Sequence, residues 1–111
     1  MEISFRTRKL QKACNSAKAM NADWGDKMAR KLQQRLNELQ AAETLHDVSR
    51  LPPARCHELS GNLAGHLSVD LVHPYRLLFF PDHDPVPTRD DGGLDWSAVT
   101  RVCITGVEDT H

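Results

Sequence analysis

The chain has 111 residues, of which 40% are hydrophobic and 26% are charged, and its formal net charge is −1. This size and composition are typical of one globular domain, so we expect residues 1–111 to form a single domain. The longest apolar run, 77–80, is far too short to cross a bilayer, and no signal peptide is visible. We therefore expect a cytoplasmic protein with no membrane partner.

The first half of the sequence predicts one strand followed by two helices. Residues 2–6 alternate apolar and polar side chains, as in a short strand, and Thr7 is a candidate N-cap for the helix that follows. Apolar residues then recur at helical spacing to about residue 20, and residues 21–25 break the pattern. Asp26 can cap a second helix, whose apolar stripe consists of Met28, Leu32, Leu36 and Leu39. Two consecutive amphipathic helices predict an antiparallel hairpin that packs on a sheet.

The second half predicts a meander and one further strand. Strand-like runs at 55–59, 66–72 and 75–80 are separated by glycine-containing and His-Pro turns. A long loop, 81–93, precedes the last predicted strand, 99–104, and residues 106–111 form a tail. The order of elements indicates an α+β domain with helices on one face of a twisted antiparallel sheet.

Charge is distributed unevenly along the chain. Residues 1–60 carry 11 Lys and Arg against 7 Asp and Glu, whereas residues 61–111 carry 3 against 8. The basic half can face a phosphate backbone, or it can be the solvated surface of the helices. Charge alone favours the solvated surface.

The meander also carries polar side chains, so its sheet can form the floor of a site. His57 falls on the first meander strand and Arg76 on the third, while Asp109 and His111 lie at the chain end. Imidazoles near neutral pKa transfer protons, and a guanidinium stabilises the extra charge of a phosphorane. These groups would suit a metal-free ribonuclease, but residue types alone favour the alternative of scattered surface histidines and an ion-paired arginine.

No pattern for metal binding or covalent catalysis is present. The three cysteines, Cys14, Cys56 and Cys103, have irregular spacing and no paired histidine at a zinc-site distance. Cys56 and His57 are strand neighbours, whose side chains point to opposite faces, so we expect Cys56 to face the core. We expect free thiols, no metal site and no cofactor.

Over nearly its full length, the chain resembles small toxins of the RelE/ParE superfamily, in the HigB-like group of plasmid-maintenance killer proteins. The similarity lies in four segments, whose order makes it specific: 55–61, 64–77, 91–100 and the ending 109–111. This resemblance implies a RelE-like fold, in which an N-terminal strand and a two-helix hairpin pack on a twisted antiparallel sheet of about four further strands.

The resemblance also implies a type II toxin that cleaves mRNA on the ribosome, without a metal or cofactor, by using the RNA 2′-hydroxyl. It assigns catalysis to His57, Arg76, Asp109 and His111. The residues expected to contact RNA are Ser60, His66, His73, Tyr75 and Thr110. The implied partners are a HigA-like helix-turn-helix antitoxin, the ribosome with its mRNA, and operator DNA bound through the antitoxin.

Three positions depart from the family pattern. Many relatives carry Lys at the position of Ser60, a basic residue at that of Leu63 and an aromatic residue at that of Thr110. Each change removes a cation or a stacking surface from the RNA site. Two alternatives therefore stay open: a degenerate toxin that serves as an antitoxin-binding co-repressor module, and a gyrase-poisoning toxin of the ParE type. The presence of His57 argues against the second, because gyrase poisons need no acid–base set.

Overall fold

A computed structural model of the protein describes residues 1–110. The chain begins with strand β1 (Glu2–Phe5), followed by helices α1 (Arg8–Cys14) and α2 (Ala17–Ala41). The remaining strands are β2 (His57–Glu58), β3 (Leu67–Asp70), β4 (Tyr75–Pro81) and β5 (Arg101–Asp109). Short 3₁₀ turns occur at Leu45–Asp47, Gly61–Leu63 and Trp96–Ala98.

The strands form one five-stranded sheet in the order β1-β5-β4-β3-β2. Strands β2 to β5 pair antiparallel with one another, and β1 joins the edge of the sheet parallel to β5. The α+β architecture predicted from the sequence is therefore confirmed: an N-terminal strand and two helices accompany four antiparallel strands.

The first helix begins where the sequence predicted, but the boundary between the two helices lies elsewhere. The Thr7 hydroxyl accepts a hydrogen bond from the Leu10 amide at 3.1 Å, which caps α1. The first helix then ends at Cys14 rather than near residue 20, because Ser16 caps a new helix by accepting from the Ala19 amide at 3.2 Å. The predicted break survives as a kink within α2 at Gly25, whose φ of 80° suits a residue without Cβ.

The apolar stripe of α2 packs on one face of the sheet. Leu32 and Leu39 are fully buried, and they join one core cluster with Leu67, Val69 and Phe79. This confirms the prediction that the amphipathic helices pack on the sheet. Burial of such side chains contributes roughly 1.5–3 kcal/mol each.

One buried arginine joins α2 to the end of β3. Arg35 is only 2% exposed; its Nε donates to the Asp70 carbonyl oxygen at 2.7 Å, and its Nη1 lies 3.0 Å from a carboxylate oxygen of Glu38. The cation is thereby paired, as a buried charge must be. This contact fixes the backbone of Asp70, which also donates its amide to the Ala54 carbonyl oxygen at 2.7 Å.

The last strand is longer than its sequence pattern suggested. We predicted 99–104, but β5 continues to Asp109, with an irregularity opposite Leu78 and Phe79. The ladder resumes because Val107 pairs with Leu77 and packs against the core. The chain end therefore lies along β4 and reaches Tyr75, the residue that begins that strand. Within residues 1–110, no helix has the length and apolar content needed to cross a membrane.

Candidate active site

The register of the meander places several polar side chains on the sheet face opposite the helices. His57 pairs with Ser68 and Asp70 pairs with Arg76, and paired residues project their side chains to the same face. The core residues Leu67 and Val69 alternate with Ser68 and Asp70, so these polar residues point away from α2. We call the layer of side chains formed by His57, Asp70, Arg76 and the fully buried Ser68 the polar sheet face.

Arg76 is the centre of this face. Its Nη1 lies 3.5 Å from His57 Nε2 and donates to the Thr110 hydroxyl at 3.1 Å. Its Nε lies 3.5 Å from a carboxylate oxygen of Asp70, and its side chain is only 13% exposed. A guanidinium presents donors in a rigid fork, so these contacts hold the Arg76 cation in one orientation on the polar sheet face, and a cation of this kind can bind an anion.

The hydrogen bonds of His57 determine which of its ring nitrogens carries a proton. Nδ1 lies 3.0 Å from the carbonyl oxygen of Arg55, which can only accept, so Nδ1 is the protonated nitrogen. In the neutral ring, Nε2 then keeps its lone pair, and it is this atom that faces Arg76. The geometry presents a proton acceptor beside an anion-binding cation.

Two residues of the site were not assigned a role by the sequence. Asp70 lies between two cations, with Oδ1 3.5 Å from Arg76 Nε and Oδ2 3.5 Å from Arg55 Nη1. Arg55 precedes β2 with a φ of 49°, a conformation that is uncommon outside glycine. The alternation of β3 already put Asp70 on the polar face; the turn conformation of Arg55 has no comparable sequence signal.

The chain end reaches the site through Thr110 rather than Asp109. Asp109 pairs with Tyr75, which is one residue before Arg76, so both of these side chains belong to the face opposite the polar sheet face. Asp109 is exposed there, whereas the hydroxyl of Thr110 binds Arg76. The predicted catalytic residue His111 lies outside the described residues.

The other predicted RNA contacts are scattered around the site. Ser60 is exposed at the start of the turn Gly61–Leu63, and His73 is exposed in the turn between β3 and β4. Tyr75 is 44% exposed. His66 packs edge-on against Phe80, with ring centroids 5.9 Å apart, and Phe80 is four strand residues, or ~13 Å, from Arg76. The contact with Phe80 therefore places His66 away from Arg76.

Cys56 has no access to the site, as the alternation of side chains predicted. It is 1% exposed, and burial, the larger effect, raises the pKa of its thiol to about 12 even though Arg50 opposes the shift. Such a thiol stays protonated and is not a nucleophile. Within residues 1–110, no three His, Cys, Asp or Glu side chains are grouped to hold a metal ion.

Comparisons with known proteins relate this geometry to a fold. No family model matches the chain, and no significant match was found among curated proteins. Among solved structures, the YoeB–YefM complex from Staphylococcus aureus matches with a TM-score of 0.55 and 15% identity, over 100% of this chain and 98% of that chain. The YoeB dimer from Staphylococcus aureus matches over the same shares, with a TM-score of 0.54 and 17% identity. The protein therefore has the RelE-like α+β fold of the YoeB structures.

Proposed function

We propose that the protein is a toxin of a type II toxin–antitoxin pair and that it cleaves mRNA on the ribosome. The observation that carries the proposal is the position of His57 Nε2, 3.5 Å from Arg76 Nη1 on the partly buried polar sheet face. A proton acceptor and a phosphate-binding cation are the two groups that attack by a neighbouring 2′-hydroxyl requires. The YoeB-like fold and the resemblance of the sequence to RelE/ParE toxins support the same function.

In this mechanism His57 acts as the general base. Nε2 takes the proton of the 2′-hydroxyl while O2′ forms a bond to phosphorus. Arg76 donates to the non-bridging oxygens and stabilises the charge that develops on them. The bond from phosphorus to O5′ then breaks, and the leaving oxygen takes a proton from a general acid. The products are a 2′,3′-cyclic phosphate and a free 5′-hydroxyl.

The resemblance to the toxin family places His111 and Asp109 in the catalytic set without saying which histidine is the acid. With His57 as the base, we assign His111 as the general acid and give Asp109 the role of orienting or charge-tuning a histidine. Because Asp109 points to the face opposite Arg76, we assign it no contact with the scissile phosphate. Ser60, His66, His73, Tyr75 and Thr110 remain the proposed RNA contacts. The side chain of Thr110 accepts a hydrogen bond from Arg76.

The chemistry of the cleaved ends tests this mechanism. We expect ribosome-bound mRNA to be cut to a 2′,3′-cyclic phosphate and a 5′-hydroxyl, and a single 2′-deoxy substitution on the 5′ side of the cut to prevent cleavage there. A 2′-deoxy substitution two nucleotides away is the matched control and should leave the cut intact. Cleavage at the substituted position, or a 5′-phosphate product, would contradict attack by the 2′-hydroxyl.

We further propose a helix-turn-helix antitoxin as partner, with operator DNA bound through it. The similar YoeB structure is a complex with YefM. In this chain a groove of about 640 Å³ lies between β1 and the hairpin, at the sheet edge opposite β2, with Ile3, Phe5 and Leu36 in its lining. A groove beside an edge strand, with both polar and apolar side chains in its lining, is a suitable seat for a segment of the antitoxin.

Co-expression with the product of the neighbouring reading frame tests the partner. We expect a complex that Asn37→Arg weakens, because Asn37 lines the groove, and that Gln34→Arg leaves intact, because Gln34 is exposed on the same helix outside that lining. Purification of the wild type without a partner would contradict the proposal. Equal effects of the two variants would place the antitoxin elsewhere.

A second candidate is a degenerate toxin that binds its antitoxin but no longer cleaves RNA. Thr110 favours it, because a hydroxyl occupies the Arg76 Nη1 donor where the family has an aromatic ring. Complex formation in a wild type that neither cleaves mRNA nor slows growth would establish this alternative.

A further inference from the structure

Asp70 and its two arginines form a cluster that the proposed mechanism uses only in part. One carboxylate oxygen lies 3.5 Å from Arg76 Nε and the other lies 3.5 Å from Arg55 Nη1. Arg76 comes from β4 and Arg55 from the segment before β2, so two separate parts of the chain place guanidinium groups around one anion. The two guanidinium groups together carry one charge more than the carboxylate between them, and the exposed Glu108 is the cross-strand partner of Arg76.

The three members of this cluster differ in their freedom to move. The backbone of Asp70 is held on both sides, since its amide donates to Ala54 and its carbonyl accepts from Arg35. The side chain of Arg76 is 13% exposed, whereas that of Arg55 is 52% exposed. Arg55 is therefore the cation that can exchange its partner through a side-chain rotation alone.

The partner that best replaces this carboxylate is a phosphodiester. Guanidinium groups bind carboxylate and phosphate oxygens with the same fork geometry. Arg76 Nη1 is directed at His57 and Thr110, so that end of the guanidinium belongs to the reacting phosphate. Arg55 contacts the other carboxylate oxygen of Asp70 and is the more exposed member of that pair.

We propose that Arg55 is a second phosphate-binding residue, for the phosphate next to the scissile one in single-stranded RNA. Asp70 is a positioning residue: it orients Arg76 and holds Arg55 until the RNA phosphate replaces the carboxylate. This inference rests on the proposed function for the identity of the ligand. It adds one residue that binds RNA. It also predicts that Asp70 weakens RNA binding, because it competes for Arg55, but supports turnover, because it orients Arg76.

A binding assay with an RNA that cannot be cut measures this phosphate site independently of the cleavage chemistry. The probe is a fluorescent single-stranded RNA dodecamer with 2′-O-methyl groups throughout, titrated with protein at several salt concentrations. Arg55→Ala should weaken binding roughly tenfold, the size of a lost charge-assisted hydrogen bond. The slope of log affinity against log salt should fall by about 0.7, as expected for one phosphate contact to a single strand. Arg55→Lys should retain much of the wild-type affinity and much of the wild-type salt slope.

Asp70→Asn should have the opposite effect on affinity. Removal of the competing carboxylate should tighten binding roughly two- to fivefold, the size expected for a partly exposed ion pair. In cleavage assays with ribosome-bound mRNA, the same variant should lower both KM and kcat, because Arg76 loses the group that orients it. A role in folding alone would weaken binding instead, and the thermal unfolding midpoint of each variant is recorded beside its affinity.

Two control variants change the same charges elsewhere. Arg101→Ala removes an exposed cation of β5 whose Nε bonds to the Asp82 carbonyl oxygen, and Asp90→Asn removes an exposed loop carboxylate. Both should leave affinity and salt slope unchanged. The proposal is overturned if Arg55→Ala behaves like Arg101→Ala, if Asp70→Asn weakens binding, or if the wild type does not bind the probe. A protein that shows the predicted binding pattern but cuts no mRNA would disprove the ribonuclease mechanism and retain this phosphate site.

Discussion

At the scale of single residues, His57 illustrates what the sequence could and could not predict. Its position on the first meander strand, with Arg76 on the third, followed from the meander pattern, and the two side chains lie 3.5 Å apart across β3. Its protonated nitrogen could not be predicted, because the acceptor is the backbone oxygen of Arg55 in a left-handed conformation. A turn conformation of this kind has no periodic signal in the sequence.

Thr110 is the residue at which the contribution of the chain end can be measured. Thr110→Tyr would add an aromatic face beside Arg76, and base stacking is worth about 1–3 kcal/mol per base. If the missing ring limits activity, cleavage of ribosome-bound mRNA should rise by up to about tenfold for each 1.4 kcal/mol recovered. The measurement is a single-turnover rate.

Thr110→Val is the matched control for this substitution. It removes the hydroxyl that accepts from Arg76 at 3.1 Å and adds no ring, so it should not raise the rate. A higher cleavage rate for Thr110→Val would show that the Thr110 hydroxyl itself restrains Arg76. An unchanged cleavage rate for Thr110→Tyr would show that base stacking at this position does not limit activity.

At the scale of secondary-structure elements, apolar periodicity predicted the elements and polar groups set their ends. The stripe of α2 was recognisable because Leu32, Leu36 and Leu39 repeat at helical spacing, and all three are buried. Ser16 was not recognised as a cap, so the boundary between α1 and α2 was missed. The extension of β5 was missed because Gly106 and the irregular register opposite Leu78 interrupt the strand pattern.

The docking of α2 on the sheet can be tested at Leu32. Leu32→Ala should lower the free energy of unfolding by roughly 2–5 kcal/mol, because the site is fully buried within the packed core. The urea unfolding midpoint is the measurement. Gln34→Ala, an exposed position on the same helix, is the control and should change stability by no more than about 0.5 kcal/mol. Equal midpoints for the two variants would contradict the packing described.

Arg35 connects this helix to the polar sheet face, and sequence reasoning did not identify it. An arginine on an amphipathic helix is expected in solvent, yet Arg35 is 2% exposed and bonds to the Asp70 carbonyl oxygen. Its neighbour Glu38, one turn along, is the only sequence sign that the charge would be paired. Through this contact the helical layer positions the strand end that carries Asp70.

At the scale of the whole molecule, the two proposed functions lie at opposite edges of one sheet. The edge strand β2 carries His57, and the edge strand β1 borders the groove proposed for the antitoxin. The order of elements and the family resemblance were enough to predict the α+β fold. The pairing of β1 with β5 could not be read from local patterns, because it joins residues about a hundred positions apart.

The central claim is that His57 and Arg76 perform RNA cleavage, and single-turnover cleavage of ribosome-bound mRNA tests it most directly. His57→Ala should lower the rate by about 10²–10⁴-fold, the usual loss for a general base. Arg76→Ala should lower it by about 10²–10³-fold, the size of a lost oxyanion donor. His46→Ala, at an exposed histidine in the turn Leu45–Asp47, and Arg101→Ala are the matched controls and should cleave at the wild-type rate. An active wild type whose rate is unchanged by both His57→Ala and Arg76→Ala would contradict the assignment.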